Sequence, residues 1–237
     1  MQVWLCPLLA FLLGSIPFGL IIAKAKGVNI RDHGSGNIGA TNVLRVIGKK
    51  YGITCLLLDA LKGFIPVMLA INLIQIAGKG NPLHLAALDP LALMLPAAQQ
   101  FKGQLVHVLT ALAAVLGHNY SPWVGFKGGK GIATSAGVLL ALMPAGIVLL
   151  ALVWLIVFAL SRYVSLASIV AAAALPLITI YGSWFHGRIA DGTWNKPLFF
   201  FSLVIAILAI WKHQTNIQRL LAGTEHRFSR KAKSTHV

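Results

Sequence analysis

Acidic residues are scarce in this chain: Asp and Glu together number 5 of 237 residues, against 20 Lys and Arg. Charged residues of both signs make up 11% of the sequence, whereas soluble domains carry about 25%. Hydrophobic residues make up 57%, and the mean hydropathy is +0.80. A soluble core of this length cannot absorb so much apolar surface. The composition therefore excludes a soluble globular domain and predicts an integral membrane protein.

Cysteine is also rare, and Cys6 and Cys55 both lie within apolar stretches without a metal-ligand pattern around them. This excludes a disulfide framework, and we expect neither a bound metal nor a cofactor. The net charge of +15 does not indicate nucleic-acid binding, because the basic residues lie between apolar runs rather than in one polar domain. The first apolar run is too long for a signal peptide and is expected to remain as the first helix.

Long apolar runs dominate the sequence, and a membrane-spanning helix needs about 20 mostly apolar residues. The candidate spans are residues 3–23, 52–76, 105–117, 132–160, 164–182 and 198–212. The fourth run is interrupted at Met143, Pro144, Ala145 and Gly146, where proline removes a backbone donor. It is either one kinked span or two short helices joined by a tight hairpin.

The distribution of Lys and Arg favours the hairpin. With it, 16 of the 20 lie on one side of the membrane, in residues 24–51 and 118–131, the turn 161–163, the tail after 211, and Lys62 nearby. Because cytoplasmic loops are rich in Lys and Arg, we predict an all-α protein with seven transmembrane helices, the N-terminus outside and the C-terminus cytoplasmic. Residues 1–237 would form one domain, with a helical core over 1–223 and a basic tail over 224–237.

The first long cytoplasmic loop reads D-H-G-S-G-N-I-G-A-T-N-V-L-R over residues 32–45. Its glycines, including Gly36 and Gly39, allow close backbone approach, and successive N–H groups near a helix start can bind an anion. The residues that add side-chain donors are Ser35, Asn37, Thr41, Asn42 and Arg45. A turn that caps a helix would need fewer small polar residues. No G-K-[ST] follows and no strand precedes, so neither a Walker A loop nor a dinucleotide fingerprint is present.

The second loop begins at His118 and contains Lys127, Gly128, Gly129 and Lys130 directly before an apolar helix. Two ammonium groups beside glycines at a helix N-terminus suit a phosphate. A positive anchor at the membrane surface would explain the lysines alone, but it does not require glycines. We therefore favour a phosphate site.

Further polar residues accompany these loops on the same side. Asp59 and Lys62 lie three residues apart, a turn or so into the second span, and form either a structural ion pair or part of the site. Ser165 follows the third cytoplasmic turn, and His213, Asn216 and Arg219 recur about one helical turn apart. With only Asp32 and Asp59 as nearby carboxylates, the set predicts a pocket for an anionic substrate.

At these residues the chain resembles the bacterial acyl-phosphate:glycerol-3-phosphate acyltransferases (the PlsY type). The blocks that carry the resemblance are G-S-G-N-I-G-A-T-N-V-L-R at 34–45, L-D-A-L-K-G at 58–63, G-H-N-Y-S-P-W-V-G-F-K-G-G-K-G-I-A-T at 117–134, R-Y-V-S-L-A-S at 162–168 and H-Q-T-N-I-Q-R-L-L-A-G-T-E at 213–225. Seven transmembrane helices are what this family has. The external segment 77–104 is longer here than the family pattern.

The resemblance implies transfer of a fatty acyl group from acyl-phosphate to the 1-hydroxyl of sn-glycerol 3-phosphate, giving lysophosphatidic acid and inorganic phosphate. It implies that Ser35, Gly36, Asn37, Gly39 and Thr41 cradle the acyl-phosphate, with Lys127 or Lys130 neutralising its charge. Glycerol 3-phosphate would be held by Arg45, Ser165, His213 and Asn216, with Arg219 beside them. Asn42, Asp59, Lys62, His118, Gly128 and Gly129 complete the expected substrate-binding set. The expected location is the bacterial inner membrane, with a cytoplasmic active site and a functional link to an enzyme that produces acyl-phosphate.

Two H-x4-D sequences, His84 with Asp89 and His186 with Asp191, match the His–Asp pair of other glycerolipid acyltransferases. Both lie in predicted external loops, so we interpret them as coincidental. The acyl-phosphate's own oxygen is then expected to accept the hydroxyl proton. A covalent route through Ser35 would need His33 as its base. The competing class is an organic-phosphate or anion transporter, which is disfavoured because no repeated halves are visible.

Overall fold

The computed structural model describes residues 2–81 and 83–228. Its helices are α1 (Leu5–Gly14), α2 (Phe18–Lys24), α3 (Ala40–Val46), α4 (Lys49–Leu73), α5 (Gln100–Asn119), α6 (Ile132–Leu142), α7 (Pro144–Ser161), α8 (Val164–Phe185), α9 (Lys196–Lys212) and α10 (Gln214–Leu221). Two strands, β1 (Ile74–Ile76) and β2 (Leu93–Leu95), complete the regular elements. Most of the predicted basic tail, from residue 229 onward, lies outside the described residues.

Four helical stretches within the described ranges are long and apolar enough to cross a membrane: Leu5–Lys24, which combines α1 and α2, then α4, α7 and α8. A fifth is the pair α9 and α10, if the 56° bend between them belongs to one span. The remaining predicted spans correspond to α5, of 20 residues, and α6, of 11 residues. The chain is thus a helical, multi-pass membrane protein. Seven crossings and the orientation of the termini stay predictions.

The apolar run at 132–160 forms two helices, which confirms a break at the Pro144 region. Met143 has φ −149° and ψ 71°, outside helical geometry, and Pro144 begins α7. The two helices also take different partners, because α6 packs against α4 whereas α7 packs against α8. Glycines allow the α4–α6 approach: a Cβ at Gly63 would overlap the Thr134 carbonyl, and one at Gly137 would overlap the Ala60 carbonyl.

The segment after α4 departs from the predicted all-α fold. Helix α4 ends at Leu73 rather than at residue 76, because Ile74–Ile76 pairs in parallel with Leu93–Leu95, with Gln75 opposite Met94. The fully buried Asn72 side chain stabilises the segment between the two strands. Its Nδ2 donates to the Leu83 carbonyl at 3.2 Å, and its Oδ1 accepts from the Leu85 amide at 2.7 Å. Short 3-10 turns at Ala86–Leu91 and Ala97–Gln99 lead into α5.

The apolar core lies between α1, α4, α5, α6, α8 and α9. Its fully buried members include Val67, Ala111, Val138 and Leu175. Helix α7 is different, because only Gly146 and Leu150 of its 18 residues are buried. An apolar helix with so few buried residues fits contact with lipid rather than with water.

Candidate active site

One small cavity, of about 120 Å³, collects most of the predicted site residues. The cavity lies beside the first half of α4. The C-terminal ends of α5 and α9 and the N-terminal ends of α6 and α8 also border it. The predicted residues that line it are Ser35, Asn37, Gly39, Thr41, Asn42, Arg45, Asp59, His118, Lys130, Ser165, His213 and Asn216. Gly36, Lys62, Lys127, Gly128, Gly129 and Arg219 are not part of the lining.

A larger cavity, of about 1000 Å³, lies at the opposite ends of the same helices. Its lining includes Ile71 of α4, Val108 of α5, Leu142 of α6 and Ile178 of α8. None of the predicted site residues borders it. Size therefore does not select the candidate site here, and we take the smaller cavity as the candidate because cations and hydroxyl groups converge on it.

Asn42 organises the glycine-rich loop before α3. Its Nδ2 donates to the carbonyl oxygens of Ile30 at 3.2 Å, His33 at 3.0 Å and Asn37 at 2.9 Å. Its Oδ1 accepts from the Ser35 amide at 2.9 Å. These four hydrogen bonds of the 1%-exposed side chain are all made to the backbone of residues 30–37. Asn42 therefore shapes the wall of the cavity that it lines together with Ser35 and Thr41.

The second glycine-rich loop rests on the end of α5. The Gly128 amide donates to the Asn119 carbonyl and the Gly129 amide to the His118 carbonyl, each at 3.2 Å. A Cβ at Gly128 would overlap the His118 carbonyl, and one at Gly129 would overlap the His118 ring. These two glycines thus permit close docking of the loop, and their amides point at α5 rather than into the cavity.

Of the two lysines in that loop, Lys130 enters the cavity and Lys127 does not. Lys127 is exposed, and its carbonyl accepts a hydrogen bond from Arg31 at 2.8 Å. The Lys130 ammonium donates to Asn216 Oδ1. Burial lowers the pKa of Lys130 to about 8, with Arg219 and Arg45 adding to the decrease and Glu225 opposing it. An anion that binds beside this ammonium group would stabilise its protonated form.

Glu225 corrects the expectation that Asp32 and Asp59 are the only nearby carboxylates. Its buried side chain accepts hydrogen bonds from Ser165 Oγ at 2.9 Å, Asn216 Nδ2 at 2.7 Å and Arg219 Nε at 2.8 Å. Burial raises the pKa of this carboxyl, but the three hydrogen bonds offset that effect and hold the pKa below its usual value. Arg219 consequently holds Glu225 at the cavity edge. The sequence signal was available, since Glu225 closes the last motif block.

The Asp59–Lys62 pair lies near the middle of α4, with Lys62 Nζ 2.7 Å from Asp59 Oδ1. Lys62 turns away from the cavity and donates to the Ile16 carbonyl at 2.7 Å, in the break between α1 and α2. Asp59 faces the other way, toward His118, and both of those residues border the cavity. A direct contact between Lys62 and substrate therefore has no geometric support in this arrangement and stays a prediction.

The two H-x4-D pairs lie away from the cavity. His84 Nε2 is 3.2 Å from Asp89 Oδ2 on the surface, and Asp191 accepts hydrogen bonds from Thr193. His33 is exposed and is not part of the cavity lining. In the described ranges, no group of three or more His, Cys, Asp and Glu side chains is placed to hold a metal ion.

Fold and cavity together define a membrane-embedded protein with a basic, hydroxyl-lined pocket at one end of its helices. The family model for glycerol-3-phosphate acyltransferase matches residues 4–223. The chain is 42% identical to the glycerol-3-phosphate acyltransferase of Aquifex aeolicus, over 92% of this chain and 95% of that one. It is 39% identical to the Halalkalibacterium halodurans protein of the same name, over 98% of each chain.

Two crystal structures of PlsY (YgiH), an integral membrane glycerol 3-phosphate acyltransferase, have the same fold. The glycerol 3-phosphate form has a TM-score of 0.75 and the lysophosphatidic acid form 0.73, both at 40% identity over 97% of this chain and 96% of the other. The chain belongs to the glycerol-3-phosphate acyltransferase family, and it is a membrane acyltransferase of phospholipid synthesis. The family resemblance inferred from its motifs is thereby confirmed.

Proposed function

We propose that this protein transfers a fatty acyl group from acyl-phosphate to the 1-hydroxyl of sn-glycerol 3-phosphate, releasing lysophosphatidic acid and inorganic phosphate. The observation that carries the proposal is the single cavity shared by the Ser35–Thr41 loop, Lys130 and the His213–Asn216 turn. Two phosphate groups must meet in this reaction, and Arg45 and Lys130 bring cations to the cavity from two separate elements. The relatives' names support the acceptor, since the crystallised PlsY is described in a glycerol 3-phosphate form.

The two phosphates are assigned to opposite walls of the cavity. Ser35, Asn37 and Thr41, with Gly36 and Gly39 in the same loop, would face the acyl-phosphate, and Lys130 would neutralise its charge. Arg45, Ser165, His213 and Asn216 would face glycerol 3-phosphate. A volume of about 120 Å³ is small beside the roughly 300–1,000 Å³ of ordinary ligand pockets.

Only the polar ends of the substrates therefore fit in the cavity, and the acyl chain must lie outside it. Leu56 marks a suitable path, because it borders the cavity and is also 48% exposed on the apolar surface of α4. Ile132 and Val164 add further apolar lining. An acyl chain that leaves along this edge would remain in contact with the membrane interior.

The chemistry follows from the donor, because acyl-phosphate is a mixed anhydride that already carries a good leaving group. The 1-hydroxyl oxygen attacks the acyl carbon, the bond from that carbon to the phosphate oxygen breaks, and a phosphate oxygen takes the hydroxyl proton. The protein supplies the relative placement of the two substrates and the cationic stabilisation of the departing phosphate. No acylated side chain is needed, and the exposed His33 is poorly placed to serve Ser35 as a base.

The cytoplasmic face of a bacterial inner membrane is the proposed site of the reaction. Most of the Lys and Arg residues lie in segments at the same end as the cavity, such as 24–51 and 118–131. A single domain with its active site on this face would receive acyl-phosphate from a separate enzyme that produces it.

The donor is tested with purified protein in detergent, given glycerol 3-phosphate and, in turn, acyl-phosphate, acyl-CoA or acyl-carrier protein. Phosphate release should depend on both acyl-phosphate and glycerol 3-phosphate, and lysophosphatidic acid should appear in equal amount. Activity with acyl-CoA or acyl-carrier protein alone would refute the proposed donor. Recovery of a peptide acylated at Ser35, after a quench without glycerol 3-phosphate, would refute direct transfer.

A further inference from the structure

A buried ionic cluster beside the cavity has no role in the chemistry just described. Asp59, Lys62 and His118 are 2%, 5% and 6% exposed. Asp59 Oδ1 lies 2.7 Å from Lys62 Nζ and 3.7 Å from His118 Nδ1, and Cys55 Sγ lies 3.6 Å from Asp59 Oδ2. Charged groups at this depth are costly unless they are paired. The Asp59–Lys62 pair alone meets that need, so the approach of His118 requires a separate explanation.

His118 connects the ion pair to the second glycine-rich loop. One edge of its ring, at Nδ1, faces Asp59. The other edge faces Gly129, where an added Cβ would overlap Nε2 and lie 3.0 Å from Cε1. The His118 carbonyl also accepts the Gly129 amide at 3.2 Å. The loop therefore lies directly on the ring and on the main chain of the same residue.

Lys130 follows Gly129 by one peptide bond, and its ammonium group is the cation that this loop places in the cavity. A rotation of the His118 ring would displace the backbone at Gly129, since no free space separates them. That displacement would move Lys130 relative to Asn216 and to the substrates. Placement errors of about 1 Å can reduce rates by about 100-fold.

We propose that Asp59 is a positioning residue, which fixes the His118 ring as the support for Gly129 and thereby sets the position of Lys130. Lys62 has a different task, which is to pair with the Asp59 carboxylate and to tie α4 to the Ile16 carbonyl. The kinetic consequence rests on the proposed function. The structural consequence, an ordered loop, does not depend on which acyl donor the enzyme uses.

The test separates positioning from charge neutralisation with a double variant, Asp59→Asn with Lys62→Met. It removes both charges together, so neither partner remains buried and unpaired. The Ile16 carbonyl keeps a partner, because the Phe18 amide also donates to it at 3.1 Å. Hydrogen exchange of the peptide containing Gly128 and Gly129 reports on the loop, and kcat and KM for glycerol 3-phosphate report on the reaction.

We expect the double variant to unfold in detergent near the parent's temperature, while the loop amides exchange at least tenfold faster and kcat/KM falls about 10- to 100-fold. Parent-like loop exchange and kcat/KM in a folded double variant would overturn the proposal, since the carboxylate would then serve only to balance Lys62. If the loop exchanges faster in the double variant but the parent protein itself has no acyl-phosphate activity, the positioning role is supported and the proposed function is refuted.

A second variant, His118→Gln, tests the same connection with the ion pair intact, should the double variant fail to fold. It should also speed exchange of the loop, measured without substrate. Its matched control is His107→Gln, because His107 is a buried histidine on the same helix whose Nε2 lies 2.8 Å from the Ile74 carbonyl, far from the loop. If His118→Gln leaves loop exchange unchanged, or if His107→Gln changes it equally, the proposal fails.

Discussion

The reduced pKa of Lys130 leads to a specific pH dependence of the reaction. Burial lowers that pKa from 10.5 to about 8 in the substrate-free protein. The protonated ammonium is the form that neutralises a phosphate, so kcat/KM for the phosphate substrates should fall as pH rises through about 8. Lys130→Arg should move this decrease beyond the accessible range, because arginine stays protonated in proteins.

The size of the effect follows from the fraction of Lys130 that is protonated. With a pKa of about 8, about nine-tenths of the groups carry the proton at pH 7 and about one-tenth at pH 9, a tenfold change. The substrates do not obscure it, since a phosphate monoester loses its second proton near pH 6. Unfolding driven by the titration of Lys130 would not produce the same decrease in kcat/KM at alkaline pH either. Between about 8 and 10.5 the unfolded chain binds more protons at Lys130 than the folded one, so this residue's contribution to stability rises with pH.

The assay is glycerol 3-phosphate-dependent phosphate release from pH 6.5 to 9.5, with spontaneous hydrolysis of acyl-phosphate subtracted at every pH. The parent should lose about tenfold in kcat/KM between pH 7 and 9, and Lys130→Arg should lose little over the same range. A flat profile in the parent, or an equal alkaline decrease in Lys130→Arg, would refute the reasoning. If Lys127→Arg abolishes the decrease instead, the wrong lysine has been assigned to the cavity.

Three further predictions concern the surroundings of the cavity. Gly129→Ala should lower activity and destabilise the protein by about 1–3 kcal/mol. Its control is Gly182→Ala on α8, where an added Cβ meets open space; this variant should be neutral or stabilising by up to about 1 kcal/mol. Thermal unfolding in detergent compares the two variants. Glu225→Gln should lower the unfolding temperature and raise KM for glycerol 3-phosphate, because Arg219 and Asn216 lose a charged partner; an unchanged KM would exclude a role in shaping the site. His84→Ala should retain full activity, and a large loss would place the chemistry at the opposite end of the helices.

Hydropathy predicts where the helices occur, because each apolar run is long compared with a helical turn. In lipid, the backbone N–H and C=O groups of such a run must form hydrogen bonds with one another, which a helix allows. The hydropathy signal is weakest for α5, because this helix contains polar residues that face the protein, such as His107, which is buried and lies within hydrogen-bond distance of the Ile74 carbonyl. The β1–β2 pair was not predictable, since strands of three residues depend on tertiary partners such as Asn72 rather than on local pattern.

The motifs predicted residues that the fold brings to one cavity, but they did not predict which atoms of each residue are already paired within the protein. Glycine next to lysine suggested amides that contact phosphate, yet the amides of Gly128 and Gly129 bind the end of α5. Asn42 likewise directs its side chain at its own loop. Such tasks depend on which atoms already have partners, and that information belongs to the folded chain.

The spacing of Asp59 and Lys62 also bears on how α4 enters the membrane during biosynthesis. Each residue alone, near the middle of a span, would oppose insertion by about 3 kcal/mol. The two lie three residues apart in the same helix and contact each other at 2.7 Å. Their pairing requires only helix formation and no other span, so α4 can be integrated by the translocation machinery before its later partners α5 and α6 have been synthesised.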